Sequence, residues 1–175
     1  IDTSASMTNC TISEKSTVTA AQAAAVLGIV LAKRCGAEVH GWATGTYRHD
    51  LVKGQNAMQG VEAFLKRTGE AGHGTDIRQA LRLYNGHDRV FLLSDMQGMG
   101  YGFHATSARP DMGGLIPANV PLYTAVLNGY GRTPIVTGTP NRHALAGFSD
   151  STFKLVPLLE LGESPDWDAL FGIAG

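Results

Sequence analysis

The sequence predicts an α/β protein: a doubly wound, mostly parallel sheet flanked by helices. Three observations predict it. Segments with strand character alternate with segments of helical periodicity. The run Arg89-Val-Phe-Leu-Leu-Ser94 is apolar without alternation, the pattern of a strand covered on both faces, as in a parallel sheet. Finally, clusters of Asp, Ser and Thr fall where such strands end, which is where open α/β sheets place their ligands.

In chain order, Asp2 is expected to end a central strand, although Ile1 alone precedes it, and upstream sequence is expected. Thr19-Ala-Ala-Gln22 reads as a capping box opening a helix to about Arg34, with Gly36 as its stop. This helix is apolar nearly all round, so it is expected to be well buried. Ala37 to Ala43 alternates as a strand does, and Tyr47 to Val52 is placed to pair with it across a Thr44-Gly45 turn. Val61, Phe64 and Leu65 give Met58 to Arg67 helical spacing. Gly72-His-Gly74 is a glycine loop, after which Thr75-Asp76 starts a helix carrying Ile77, Ala80, Leu81 and Tyr84. The Arg89–Ser94 strand ends in Asp95. A long loop is expected over 98–117, a second buried strand over Pro121 to Leu127, and an edge position for Ile135-Val136. A short strand over Ala144 to Phe148 and a helix capped by Ser149 and Asp150, disturbed at Pro157, complete the pattern.

Composition narrows the function. One domain spanning 1–175 accommodates the chain, with 43% hydrophobic and 17% charged residues. A net charge of -1 supplies no global basic field for gripping a phosphate backbone. Two cysteines, Cys10 and Cys35, do not make a disulfide framework and suit a reducing compartment. No apolar run reaches the ~18–20 residues of a membrane span, so a cytoplasmic location without membrane partners is expected.

The chemistry lies in three clusters: Asp2-Thr-Ser-Ala-Ser6, Gly74-Thr-Asp76 and Ser94-Asp95. Together they offer only hard oxygen donors, carboxylates and hydroxyls; the candidates among them, Asp2, Ser4, Ser6, Thr75 and Asp95, are two carboxylates and three hydroxyls. That set suits Mg2+, with Mn2+ or Ca2+ as substitutes, and lacks the Cys and His that softer metals prefer. Neutral hydroxyl ligands leave a cation under-neutralised, so it can attract an acidic group from outside into an open position. This is a binding design rather than an enzyme, since neither a nucleophile nor a general base stands beside it. A magnesium-dependent phosphotransfer hydrolase would place a second Asp two residues after the first; here that position is Ser4.

This pattern resembles the metal-ion-dependent adhesion site of von Willebrand factor A domains, a Rossmann-like fold. The resemblance implies Ser4, Ser6 and Thr75 as direct ligands, with Asp2 and Asp95 coordinating directly or through water. More narrowly, Asp2-Thr-Ser-Ala-Ser-Met7, the Ala-rich helix, Gly74-Thr-Asp76 and Leu92-Leu-Ser-Asp95 look like the A domain of TROVE-module proteins, the Ro autoantigen and its bacterial relatives. That likeness implies a part in an RNA-binding ribonucleoprotein with small non-coding RNA as partner. The family's helical-repeat ring, which carries most of the RNA contact, is not in this sequence. His73 also departs from the family pattern, where Gly is more familiar. A generic adhesion or assembly domain, binding an acidic residue of a protein, is the alternative.

Blander roles stand beside these. Thr75-Asp76 can serve as a helix cap, Asp76 especially. Trp42 and Trp167 suit packing, and Met96, Met99 and Tyr101 either fold into the core or form an apolar lip. Arg132, Arg142 and His143 read as a solvated loop or a small basic rim. None of the six histidines shows zinc-ligand spacing.

Overall fold

The computed structural model describes residues 1–96, 112–127 and 140–146, together with Lys154, Val156, Pro157 and Leu159, which are helical. The expected cap at Ser149-Asp150, the edge segment Ile135-Val136, and Trp167, Met99, Tyr101 and Arg132 lie outside the described residues.

The elements are α1 (Ala5–Asn9), α2 (Ala20–Cys35), β1 (Val39–Trp42), β2 (Thr46–His49), α3 (Ala57–Leu65), α4 (Ile77–Leu81), β3 (Val90–Ser94), a 3-10 turn (Met112–Leu115), β4 (Leu122–Val126) and β5 (Arg142–Ala146). Helix α2 begins and ends as its sequence dictates. Thr19 accepts from the Gln22 amide while the Gln22 side chain accepts from the Thr19 amide, and Gly36 closes the helix in the left-handed region at φ 67°. Asn56 and Gln59 repeat this reciprocal cap at α3. Asp76 caps α4 by accepting from the Arg78 amide.

Strands β3, β4 and β5 form a parallel three-stranded sheet in the order β3-β4-β5, so the chain has an α/β fold. β1 and β2 form an antiparallel hairpin, closed by the Ala43 amide on the Gly45 carbonyl at 2.9 Å. Ile1 to Thr3 joins the two sheets. The Ile1 nitrogen donates to His40 O (2.8 Å), Trp42 N to Ile1 O (3.0 Å) and Thr3 N to Trp42 O (2.8 Å), while Asp2 N donates to Leu93 O (2.8 Å) on the other side. These three residues therefore lie as a strand between β1 and β3, parallel to β1 at the Asp2–Trp42 bridge.

Apolar side chains cover both faces, as the uninterrupted runs require. One core gathers Ile29 of α2, Val61 and Phe64 of α3, Leu93, Tyr123, Ala125 and Leu145. The other gathers Trp42, Ile77, Leu81, Leu92, Ile116 and Leu122. Leu92 and Leu93, adjacent in sequence, enter opposite cores, as period-2 alternation demands. Trp42 packs inside, and Met96 folds into the interior.

Two expectations need correction. Residues 112–115 form a 3-10 turn within the stretch read as loop. Arg142 and His143 are neither a solvated loop nor a basic rim: they open β5, which starts two residues earlier than expected. Arg142 is only 6% exposed, and its guanidinium donates to the carbonyls of Val120, Gly113, Ile116, Pro117 and Asn141. The two terminal guanidinium nitrogens, Nη1 and Nη2, reach five backbone carbonyls between them, which makes burial of the charge tolerable. His143 stacks on Tyr123 at 5.0 Å between centroids.

Candidate metal centre

The carboxyl ends of the Ile1–Thr3 segment and of β3 meet α1 and the glycine loop at one end of the sheet. Asp2 is fully buried there. Its Oδ1 accepts from the Ser4 amide at 2.8 Å, and its Oδ2 accepts from the Ser94 hydroxyl at 2.5 Å. Ser94 Oγ in turn accepts from Met96 N at 3.0 Å. Burial pushes the Asp2 carboxyl above its ordinary 3.8; the Ser4 and Ser94 hydrogen bonds oppose this and the charge of Asp95 adds to it.

Ser4 occupies the N-cap of α1, yet its side chain makes no capping hydrogen bond. Instead its hydroxyl lies 3.2 Å from that of Ser6. That separation is a hydrogen bond between the two hydroxyls, about 0.3 Å wider than the ~2.9 Å edge between adjacent ligands of an octahedral Mg2+. Asp95 is fully buried; its Oδ2 receives the Cys10 thiol at 3.4 Å, and its amide points at Met7 Sδ at 3.1 Å.

Thr75 is half-buried in the glycine loop. That loop is fastened to its neighbours by Ala5 N on His73 O (3.1 Å), Gly74 N on Thr44 Oγ1 (3.1 Å) and Asp76 N on Ala43 O (3.0 Å). Gly72 sits at φ 91°, where a Cβ would stand 2.8 Å from Thr44 Oγ1, so the loop's path requires glycine. Asp76 performs the cap and pairs with Arg78 at 2.8 Å, which leaves the cap role off Thr75.

The structure thus brings Asp2, Ser4 and Ser6 into one hydrogen-bonded chain and sets Asp95 within electrostatic reach of Asp2. Thr75 makes no direct hydrogen bond to the other four; the His73–Ala5 bond ties its loop to theirs. Among the described residues no three His, Cys, Asp or Glu side chains converge as a metal group. The candidate here has another composition, with neutral hydroxyls between two carboxylates. Sequence reasoning missed Ser94 as the partner of Asp2, and Cys10 and Met7 as partners of Asp95. Cys10 lies four residues after Ser6, with its amide on Ser6 O at 2.9 Å, so one-turn spacing was the available signal.

No protein-family model matches the chain, and no curated protein matches it.

Proposed function

We propose that the chain is a divalent-cation-dependent binding module of the von Willebrand factor A class, with the doubly wound, Rossmann-like sheet of that fold. In this reading Ser4, Ser6 and Thr75 hold Mg2+, or Mn2+ or Ca2+ in its place, through their hydroxyls. Asp2 and Asp95 coordinate directly or through water and contribute the two negative charges. The bound cation would supply an under-neutralised positive charge that an acidic group of a partner can complete. The observation that carries the reading is Ser4: the residue is 1% exposed, and its hydroxyl takes no part in capping α1 and is turned to Ser6 beside a buried carboxylate.

The narrower reading, a component of a TROVE-type ribonucleoprotein that meets small non-coding RNA in the cytoplasm, rests on the likeness of the motifs. A net charge of -1 favours the alternative, a protein partner presenting an Asp or Glu side chain. Among the described residues, no helix is long and apolar enough to cross a membrane.

Calorimetric titration of Mg2+, Mn2+ and Ca2+ into chelator-stripped protein tests the centre. Saturable one-site binding is expected for the wild type and its loss for Ser4→Ala/Ser6→Ala with unchanged circular dichroism. A folded wild type that binds none of the three, with or without an acidic peptide or RNA, would remove the proposal.

A further inference from the structure

Thr75 makes no direct hydrogen bond to Asp2, Ser4, Ser6 or Asp95, so the backbone on either side of it fixes its hydroxyl against theirs. The peptide group joining His73 to Gly74 is held at both ends. Its carbonyl accepts from the amide of Ala5, the residue between Ser4 and Ser6, at 3.1 Å. Its N–H donates to Thr44 Oγ1, also at 3.1 Å. Beyond Thr75, the Asp76 amide donates to Ala43 O at 3.0 Å. One peptide group thus ties the segment carrying two candidate hydroxyls to the β1–β2 turn, and both flanks of Thr75 are fastened to Ala43-Thr44. The turn is braced in its own right, by Gly45 N on Ala71 O at 2.7 Å.

The Thr44 hydroxyl is wedged between the two glycines that flank His73. A Cβ on Gly72 would stand 2.8 Å from Thr44 Oγ1, and a Cβ on Gly74 3.1 Å from it. The Gly-His-Gly loop is therefore moulded on this hydroxyl, with glycine on each side to let the backbone close onto it. Of the three bonds that place Thr75, two run backbone to backbone; Thr44 supplies the third from a side chain. Thr44 is also exposed, so the core does not call for its hydroxyl. Valine has nearly the same shape but leaves the Gly74 N–H without this acceptor.

The ions differ in how much slack they accept. Mg2+ demands near-ideal octahedral geometry at ~2.0–2.1 Å, whereas Ca2+ tolerates ~2.3–2.6 Å and irregular coordination. Loosening Thr75 by a few tenths of an ångström therefore costs Mg2+ more than Ca2+.

We infer that Thr44 is a positioning residue, acting through the Gly74 N–H on Thr75, and that it sets a preference for Mg2+ over Ca2+ at this centre. The inference rests on the cation reading above.

Calorimetric titration of Mg2+ and of Ca2+ into chelator-stripped wild type, Thr44→Val, Thr44→Ser and Ser4→Ala/Ser6→Ala tests it, with circular dichroism on each. Thr44→Val is expected to weaken Mg2+ binding by about fivefold to tenfold and Ca2+ binding by about twofold or less. Thr44→Ser, which keeps the acceptor, is expected to restore the Mg2+ affinity. Should Thr44→Val fail to fold, Thr44→Ala makes the same comparison. Equal losses for the two ions, or a Thr44→Ser variant as weak as Thr44→Val, overturns the inference. If Thr44→Val binds as the wild type does while Ser4→Ala/Ser6→Ala binds nothing, this inference falls and the cation reading stands. A folded wild type that binds neither ion removes both.

Discussion

Replacing Asp2 by Asn removes one buried charge and little else. The Asn carbonyl oxygen can still accept from Ser4 N, and its amide can meet the Ser94 hydroxyl, so both contacts survive in neutral form. Burying an ionised carboxylate costs several kcal/mol, while hydrogen bonds to a charged group return about 1.5–3 kcal/mol each. The direction of the Asp2 titration shows which side prevails, since burial raises the carboxyl despite both hydrogen bonds. A group whose folded pKa is raised stabilises the fold fully below its unfolded value, here 3.8, and that contribution is lost as pH rises through the folded value. At neutral pH the cation-free protein therefore carries a net penalty. We expect Asp2→Asn to raise the stability of chelated protein at pH 7 by about 1–2 kcal/mol, with the gain vanishing toward pH 4. In the wild type, cation at a hundredfold over its Kd restores about 2.7 kcal/mol, which the variant forgoes. Urea denaturation at pH 7 and pH 4, with chelator or Mg2+, measures all four states. A variant destabilised by more than 1 kcal/mol in chelator, or one that keeps the Mg2+ stabilisation, refutes the reasoning.

Two further outcomes follow from other buried polar groups. Arg142→Met strips the donors from the carbonyls of Val120, Gly113, Ile116 and Pro117, and a loss of about 3–5 kcal/mol in urea denaturation is expected; a loss under 1 kcal/mol would mean that water replaces the guanidinium freely. His49 is buried edge-on to Phe64 with Nε2 unpartnered, and burial, then the Arg67 charge, hold its pKa below 6.5 despite Asp50. A depressed folded pKa gives stability that is present above pH 6.5 and lost as pH falls through the folded value. His49→Leu is expected to remove that acid-side slope from a urea-midpoint profile between pH 7 and pH 5, and an unchanged slope would assign it to another group.

How much was legible depended on whether the deciding contact was local. Helix α2 was readable at both ends because Thr19, Gln22 and Gly36 act within a turn of the residues they cap. β3 was readable because continuous apolarity has one cheap solution, cover on both faces. The spacing of Asp2, Ser4 and Ser6 survives translation into structure because two-residue steps on one turn bring the groups together. What was not legible crosses the chain. Ser94 serves Asp2 across 92 positions, and no pattern in either segment announces it. Arg142 follows turn residues and is charged, so its type argued for solvent; only the carbonyls of the turn at 112–117, delivered by the fold, make its burial possible. The Ile1–Thr3 strand was doubtful in sequence for want of length, and its backbone bonds to β1 and β3 are tertiary.

Ser4 and Asp2 also bear on each other. An N-cap serine ordinarily accepts an amide of the first turn, and forgoing that bond costs about 1 kcal/mol. In α1 the bond is forgone, and the amide of Ser4 itself is committed to Asp2. A buried carboxylate with no ion pair among the described bridges and a capping hydroxyl withheld from its cap are both unfavourable to the protein alone. They stand within one five-residue segment, at the end of the sheet where α/β proteins bind. Sequences break local rules together where something outside the chain restores the balance. In the proposed reading, a single hard cation would restore both terms, by neutralising Asp2 and Asp95 and by taking the Ser4 hydroxyl as ligand.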